Sequence, residues 1–181
     1  LIDVNITLGQ WPTRRAPCDD STVLVAKLRE HNVIEAWAGS YDGLFHQDLG
    51  AVNDRLVAAC RATSVMPAQS STSTLEATKT LSATAPELQL RPFGSINPLD
   101  LNWRAELNRC AETHRMPGIR LHPNYHGYPL DHPDFAAALQ LAAERKLIVQ
   151  LVVIMEDARM MHPLMRVPPV DIGPLANVVA K

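Results

Sequence analysis

The apolar and polar positions of this chain change period along its length, and the changes mark out its elements. Residues 1–8 alternate: Ile2, Val4, Ile6 and Leu8 share one face and Asp3, Asn5 and Thr7 the other, the period of a strand. Gly9 and Pro12 end it. Ser21 stands where it would cap a helix over residues 22–31, with Leu24 and Leu28 stacked four apart. The short apolar run 33–38 reads as a buried strand closed by Gly39 and Gly43. Residues 48–61 place Val52, Leu56, Ala59 and Cys60 at helical spacing and predict an amphipathic helix. Ser and Thr then dominate residues 63–86, which predicts a surface insertion with at most a weak helix over 75–81.

The pattern resumes with a strand over 88–97, stopped by Pro98. Asp100 or Asn102 can cap the next helix, whose face carries Trp103, Leu107, Cys110, Ala111 and His114 until Met116-Pro117-Gly118 breaks it. A short strand follows at 119–121. Pro133 opens another helix with Phe135, Leu139, Ala142 and Ala143 on one stripe. Residues 147–155 are the most strand-prone run, and 171–180 open one more helix. Strand and helix thus alternate about five times, which predicts a parallel sheet covered by helices, either doubly wound or a (β/α)8 barrel. The first strand–helix turn, GQWPTRR, lacks G-x-G-x-x-G, and neither a phosphate-binding G-x-x-x-x-G-K-[ST] nor a G-x-S-x-G elbow occurs. The barrel is the favoured reading.

Composition narrows function more than fold. The 181 residues are 46% hydrophobic and 20% charged with net charge −2, so no cationic surplus drives nucleic-acid or anionic-membrane binding. The longest apolar run is interrupted by Gln150 and falls far short of the roughly 20 residues that span a bilayer. Asp3 interrupts any signal-peptide core, and the three cysteines form no CxxC pair. Free thiols in a reducing cytoplasm are therefore expected. A closed barrel typically takes about 250 residues. Residue 1 falls inside a strand and residue 181 inside a helix, so the expectation is one domain forming a partial TIM barrel. It would hold about five βα units, be incomplete at the C-terminus, and so be a fragment.

In parallel α/β folds, functional groups gather beyond the C-terminal strand ends. Those positions hold Asn5, Thr7 and Trp11 after strand one, and Tyr41, Asp42 and His46 after strand two. Ser95 and Asn97 follow strand three, and Glu156, Asp157, Arg159 and His162 strand five. The fourth loop, HPNYHGYPLDHP, is the densest, with His122, Asn124, Tyr125, His126, Tyr128, Asp131 and His132. Arg120 and His122, two apart on one strand, point the same way. An Arg beside His and Tyr suits a carboxylate or another anionic group. Glu156 and Asp157 suit acid, base or metal-ligand work, or a solvated loop with Arg159 as their ion-pair partner.

The opening IDVNITLG, the phrase FGSINP and above all MPGIRLHPNYHGYPL with LIVQLVVIMEDARMMHP make the chain resemble the amidohydrolase-related (amidohydrolase 2) proteins, most specifically over residues 116–172. The resemblance implies a (β/α)8 barrel of the metal-dependent hydrolase superfamily. Its members cleave C–N, ester or lactone bonds or decarboxylate aromatic or unsaturated acids, often with a divalent ion such as zinc. Carried over residue by residue, the implied ligand set is degenerate. The family's first-strand His-x-His falls on Asn5 and Thr7, its fifth-strand histidine on Val152, and the modified lysine of some relatives on Arg120. An aspartate after strand eight would lie beyond Lys181, and His122, His126 and Glu156 are the alternative ligand set.

The resemblance implies a hydrolase acting on a small carboxylated or lactone substrate, without the usual zinc ligands. Arg120 would anchor the carboxylate, His122 would be the general acid/base, and Glu156 would orient it or activate water. Asn5, Thr7, Asn97, Asn124, Tyr125 and His126 would bind substrate. A decarboxylase of the same family and a non-catalytic ligand-binding member are the alternatives. The partner expected is a small molecule, with no nucleic acid and no membrane; homo-oligomerisation stays open, and the compartment expected is the cytoplasm.

Overall fold

Five strands and their covering helices follow the sequence periods in order. A computed structural model of the chain describes residues 1–64, 87–157 and 159–180; most of the Ser/Thr-rich insertion lies outside these. Strands β1 (Ile2–Leu8), β2 (Glu35–Ser40), β3 (Gln89–Ser95), β4 (Gly118–Leu121) and β5 (Ile148–Leu151) pair in sequence order, every pair parallel. Between them run α1 (Ser21–Glu30), α2 (Leu49–Ser64), α3 (Trp103–Asn108), the short turn α4 (Pro123–His126) and α5 (Pro133–Glu144), with α6 (Leu175–Val179) after β5. The architecture is the partial (β/α)8 barrel that the alternation predicts.

The sheet curls. In a flat sheet β1 and β5 would lie about 19 Å apart, four strand spacings. Instead Gln150 on β5 donates to the Val4 carbonyl on β1 at 2.5 Å, and Arg120 on β4 reaches the Ile6 carbonyl at 3.2 Å. Outer-face side chains are apolar and pack in two clusters. Ile6, Leu8, Ala36, Ala38 and Leu90 meet Val25, Leu28, Leu56 and Cys60 of α1 and α2. Ile119 and Leu121 meet Leu107, Cys110, Phe135, Ala138 and Ala142 of α3, its continuation and α5. These positions recur at i, i+3, i+4 and i+7 on each helix, which is why the helical stripes were legible.

Several boundaries differ from expectation. Asp20, not Ser21, caps α1, its carboxylate accepting from the N–H groups of Thr22 and Val23. The β1 alternation is not one stripe: a bulge lies between Asp3 and Ile6, leaving Ile2 and Val4 exposed while Ile6 and Leu8 are buried. The 147–155 strand shortens to four residues because its neighbour β4 ends at Leu121. Beyond it Pro123 has no N–H to give and starts α4. The third helix runs on from α3 as a wider turn over Arg109–Thr113 and stops at Arg115, whose φ of 54° lies in the left-handed region. His132 caps α5 through Nδ1, which accepts from the Asp134 N–H at 3.2 Å.

Candidate functional site

Strand β4 is buried at all four residues. Ile119 and Leu121 face the helices, so Gly118, Arg120 and the following His122 fall on the inner face. Arg120 is 2% exposed. Its Nε donates to Gln150 Oε1 at 2.9 Å, and its Nη1 donates to Thr7 Oγ1 at 3.1 Å and to the Ile6 carbonyl. The guanidinium crosses β2 at Gly39, where an added Cβ would sit 2.3 Å from Nη1. Only glycine leaves that path open. Nη2 is buried and has no hydrogen-bond partner, and among the described residues no carboxylate stands at ion-pair distance. Burial lowers the guanidinium to about 10, opposed by the nearby Tyr41 hydroxyl; it stays protonated at neutral pH.

His122 is 1% exposed and its Nδ1 has no partner. Burial, then the neighbouring His126 and Arg120, hold it well below its ordinary range, so the ring is neutral at pH 7. His126 stands with its ring centroid 5.7 Å from that of His122. Its Nε2 donates to the Gly43 carbonyl at 2.9 Å, which leaves Nδ1 as a buried acceptor with no partner. Burial lowers His126 too, against the opposing pull of the Gly43 carbonyl and Asp100. Ser95 is in register with Arg120 and fully buried, its Oγ also unpaired. Four buried polar atoms on one contiguous layer thus lack protein partners, an arrangement that native cores rarely leave unused.

The layer is covered. Trp11, from the loop after β1, meets Tyr41, Phe45 and Tyr125 edge to face, with centroids 5.2–6.3 Å apart. Arg14 of the same loop reaches the segment after β5, its Nε and Nη2 donating to Glu156 Oε1 at 3.2 and 3.1 Å. The Glu156 side chain is 2% exposed. Among the described residues, clefts open at the edge of this cover and elsewhere. One of about 210 Å³ has Tyr125, His126, Asn97 and Asp100 in its wall. Larger ones of about 340 and 610 Å³ lie beside the β3–α3 loop and at the opposite end of the sheet.

Among the residues expected to form a site, Arg120, His122, His126 and Thr7 come together. The others have different employment. Asn5 is exposed beside the β1 bulge, and its N–H donates to the Asp3 carboxylate. Asn97 forms a turn, its side chain bonded to the Leu99 N–H and to Asp100. Asn124 donates to the Pro168 carbonyl and ties down the chain after β5. Tyr125 belongs to the cover, and burial, with the Glu156 charge behind it, raises its hydroxyl to about 12. Glu156 is held by Arg14 rather than by His122, and Arg159 pairs with Asp157.

Sequence reasoning missed three residues. Gln150 is the polar interruption of an apolar run, and that interruption was its signal. Asn53, fully buried on α2, accepts from the Ser95 N–H at 2.8 Å and donates to the Ser95 carbonyl and to Glu106, fixing the end of β3. Arg14 had no signal, since its partner lies 142 residues away.

No family model and no curated protein matches the chain. Among solved structures it is similar to apo IDCase from Metarhizium anisopliae, with TM-score 0.56 and 12% identity over 83% of this chain. It is also similar to 5-carboxyvanillate decarboxylase from Novosphingobium aromaticivorans with bound manganese and 3-methoxy-4-hydroxy-5-nitrobenzoic acid, with TM-score 0.56 and 14% identity over 90% of this chain. The chain spans about half the length of each, 49% and 53%. At these identities the likeness establishes the fold.

The residues here do not fit a divalent ion. Among the described residues no three His, Cys, Asp or Glu side chains stand together as a ligand group. His122 and His126 adjoin, but Glu156, the third member of the alternative set, is committed to Arg14. The oxygens around the inner layer are neutral and already serve the guanidinium. Among the described residues no helix is long and apolar enough to cross a membrane.

Proposed function

We propose that the chain is the half of an amidohydrolase-2-type barrel that binds a small carboxylated molecule, and that the full protein decarboxylates it. The observation that carries this reading is a buried guanidinium whose Nη2 has, among the described residues, no hydrogen-bond partner and no carboxylate nearby, beside the unpaired Nδ1 of His122. A buried cation without a counter-ion is costly, and an anionic ligand supplies one. Arg120 binds the carboxylate, with Ser95 Oγ as a second donor, and His122 and His126 contact the rest of the ligand. Decarboxylation draws support from the structural likeness to 5-carboxyvanillate decarboxylase. Breaking the bond to the carboxylate releases carbon dioxide and leaves its electron pair on the ligand carbon. Neutral His122, which carries one ring N–H, donates the proton that replaces the carboxylate and regains it from water, while Arg120 holds the acid in place.

Lactone hydrolysis is the second reading, favoured by one observation. A neutral His122 with an unpaired nitrogen can take a proton from water. The test is a panel of small aromatic and unsaturated acids, assayed for carbon dioxide release by the full protein, beside lactones assayed for acid release. Release of carbon dioxide is expected, with His122→Ala lowering kcat about 100-fold or more. Ring opening of lactones alone would move the assignment to hydrolysis. Saturable carboxylate binding without turnover would make this a binding protein.

A further inference from the structure

We propose that Arg120 is the resident cation of this site, a guanidinium built into the inner face that does the anion-holding work a divalent ion does in a metal-bearing barrel. The inference rests on the reading of the inner layer as a carboxylate site and goes further, to the source of the positive charge.

Three independent features support it. The guanidinium is oriented, not merely present: Thr7, the Ile6 carbonyl and Gln150 hold Nε and Nη1, so Nη2 alone is left for a ligand. That tethering draws on both margins of the curled sheet, since Gln150 also grips Val4 on β1. The backbone makes room for it, because a Cβ at position 39 would lie 2.3 Å from Nη1 and Gly39 has none. Finally, the neighbours hold a metal poorly: His122 and His126 offer two imidazole nitrogens, but among the described residues no third His, Cys, Asp or Glu joins them. A second cation a few ångströms from a buried guanidinium is strongly disfavoured, and the neutral amide, hydroxyl and carbonyl oxygens are weak ligands for zinc. Arg120 and a divalent ion therefore compete for one place, and Arg120 is covalently there.

Gln150 and Thr7 are positioning residues in this arrangement. They act on the ligand through the direction of the guanidinium, which leaves the two Nη2 protons to donate to an anionic oxygen.

The test is a fluorine NMR titration of the full protein with 4-fluorobenzoate, run as purified, with excess EDTA, and with added Mn²⁺. Metal content of the same protein is measured by mass spectrometry. Expected are saturable binding with a Kd unchanged within twofold across the three conditions, and metal well below one ion per chain. Arg120→Gln should weaken binding at least tenfold, Arg120→Lys less, and Gln150→Ala should weaken it while leaving the circular dichroism spectrum intact. Should Arg120→Gln fail to fold, Gln150→Ala carries the same test. One tightly bound Mn²⁺ or Zn²⁺ per chain, or binding abolished by EDTA, would overturn the inference while leaving the carboxylate reading standing. Absence of 4-fluorobenzoate binding in all three conditions, with no metal bound, would sink the carboxylate reading itself and this inference with it.

Discussion

Two arginines lie on the inner face of the same sheet, and they are treated in opposite ways. Arg91 on β3, at the N-terminal end of the barrel, is partly exposed and donates to Glu35 Oε2 on β2 at 3.3 Å. Glu35 in turn accepts from the Trp37 indole, and Trp37 stacks on Phe93 with centroids 4.8 Å apart. In that layer Arg91 and Glu35 are each other's counter-ion. Arg120, two layers up at the C-terminal strand ends, is far more buried yet has only neutral oxygens around it. If the inner face were organised for stability alone, the counter-ion would sit with the deeper charge. The fold instead pairs the charges of its lower layer and, among the described residues, leaves the upper one without a counter-ion, at the C-terminal strand ends.

The largest effect that separates the two layers is on stability. Phe93→Ala removes a fully buried ring from the lower layer and should cost about 3–5 kcal/mol in denaturant unfolding. Arg120→Met removes a buried charge but strands the Ile6 carbonyl, Thr7 hydroxyl and Gln150 amide oxygen; the two terms oppose, so stability should change by less than about 2 kcal/mol in either direction. A large loss on Arg120→Met would mean that the upper layer is structural after all.

On ligand affinity the order reverses. Arg120→Gln should weaken binding of a small aromatic carboxylate at least tenfold, and Arg91→Gln should not change it. Equal losses from both would erase the distinction.

A pH titration of stability sharpens the contrast further. The folded-state values of His122 and His126 lie below the ordinary 6.5, so the unfolded chain binds more protons than the folded one once pH falls past 6.5. Stability is complete above that pH and declines below it, by up to about 1.4 kcal/mol per pH unit for each ring. Thermal unfolding between pH 8 and 5 should show the decline, and His122→Gln should make it shallower. The depressed carboxylates Asp20 and Asp54 start from 3.8 and act at lower pH.

The smallest effect concerns the cover. Glu156→Gln weakens the tie to Arg14 and should speed tryptic cleavage after Arg14 and Arg15 severalfold, with a red shift in tryptophan emission as Trp11 loosens. Unchanged cleavage would mean that the aromatic contacts alone hold the loop.

The sequence carried the fold because helices and the outer sheet face obey simple periods. Val52, Leu56 and Cys60, or Phe135 and Ala142, announce their face by spacing alone. The site was only half legible, for a physical reason. Arg120 and His122 are adjacent in strand period and lead into a loop dense in histidine, so their shared direction could be read. What the guanidinium touches depends on the curl of the sheet, which brings Gln150 and Thr7 to it from strands far apart in sequence. Glu156 misled for the same reason: nothing local says that a carboxylate after β5 is claimed by an arginine after β1. Asn5 misled because a one-residue bulge turns the strand period over between Asp3 and Ile6.

The central claim is that the upper inner layer is an anion site centred on Arg120. A crystal structure of the full protein soaked with 4-bromobenzoate tests it most directly, because bromine locates the ring by anomalous scattering. The account predicts the carboxylate on Arg120 Nη2, beside Ser95 Oγ and His122, with the Trp11 loop displaced or closed over it. Bromine found only in the outer clefts, with Nη2 still unpartnered in the presence of saturating acid, would contradict it.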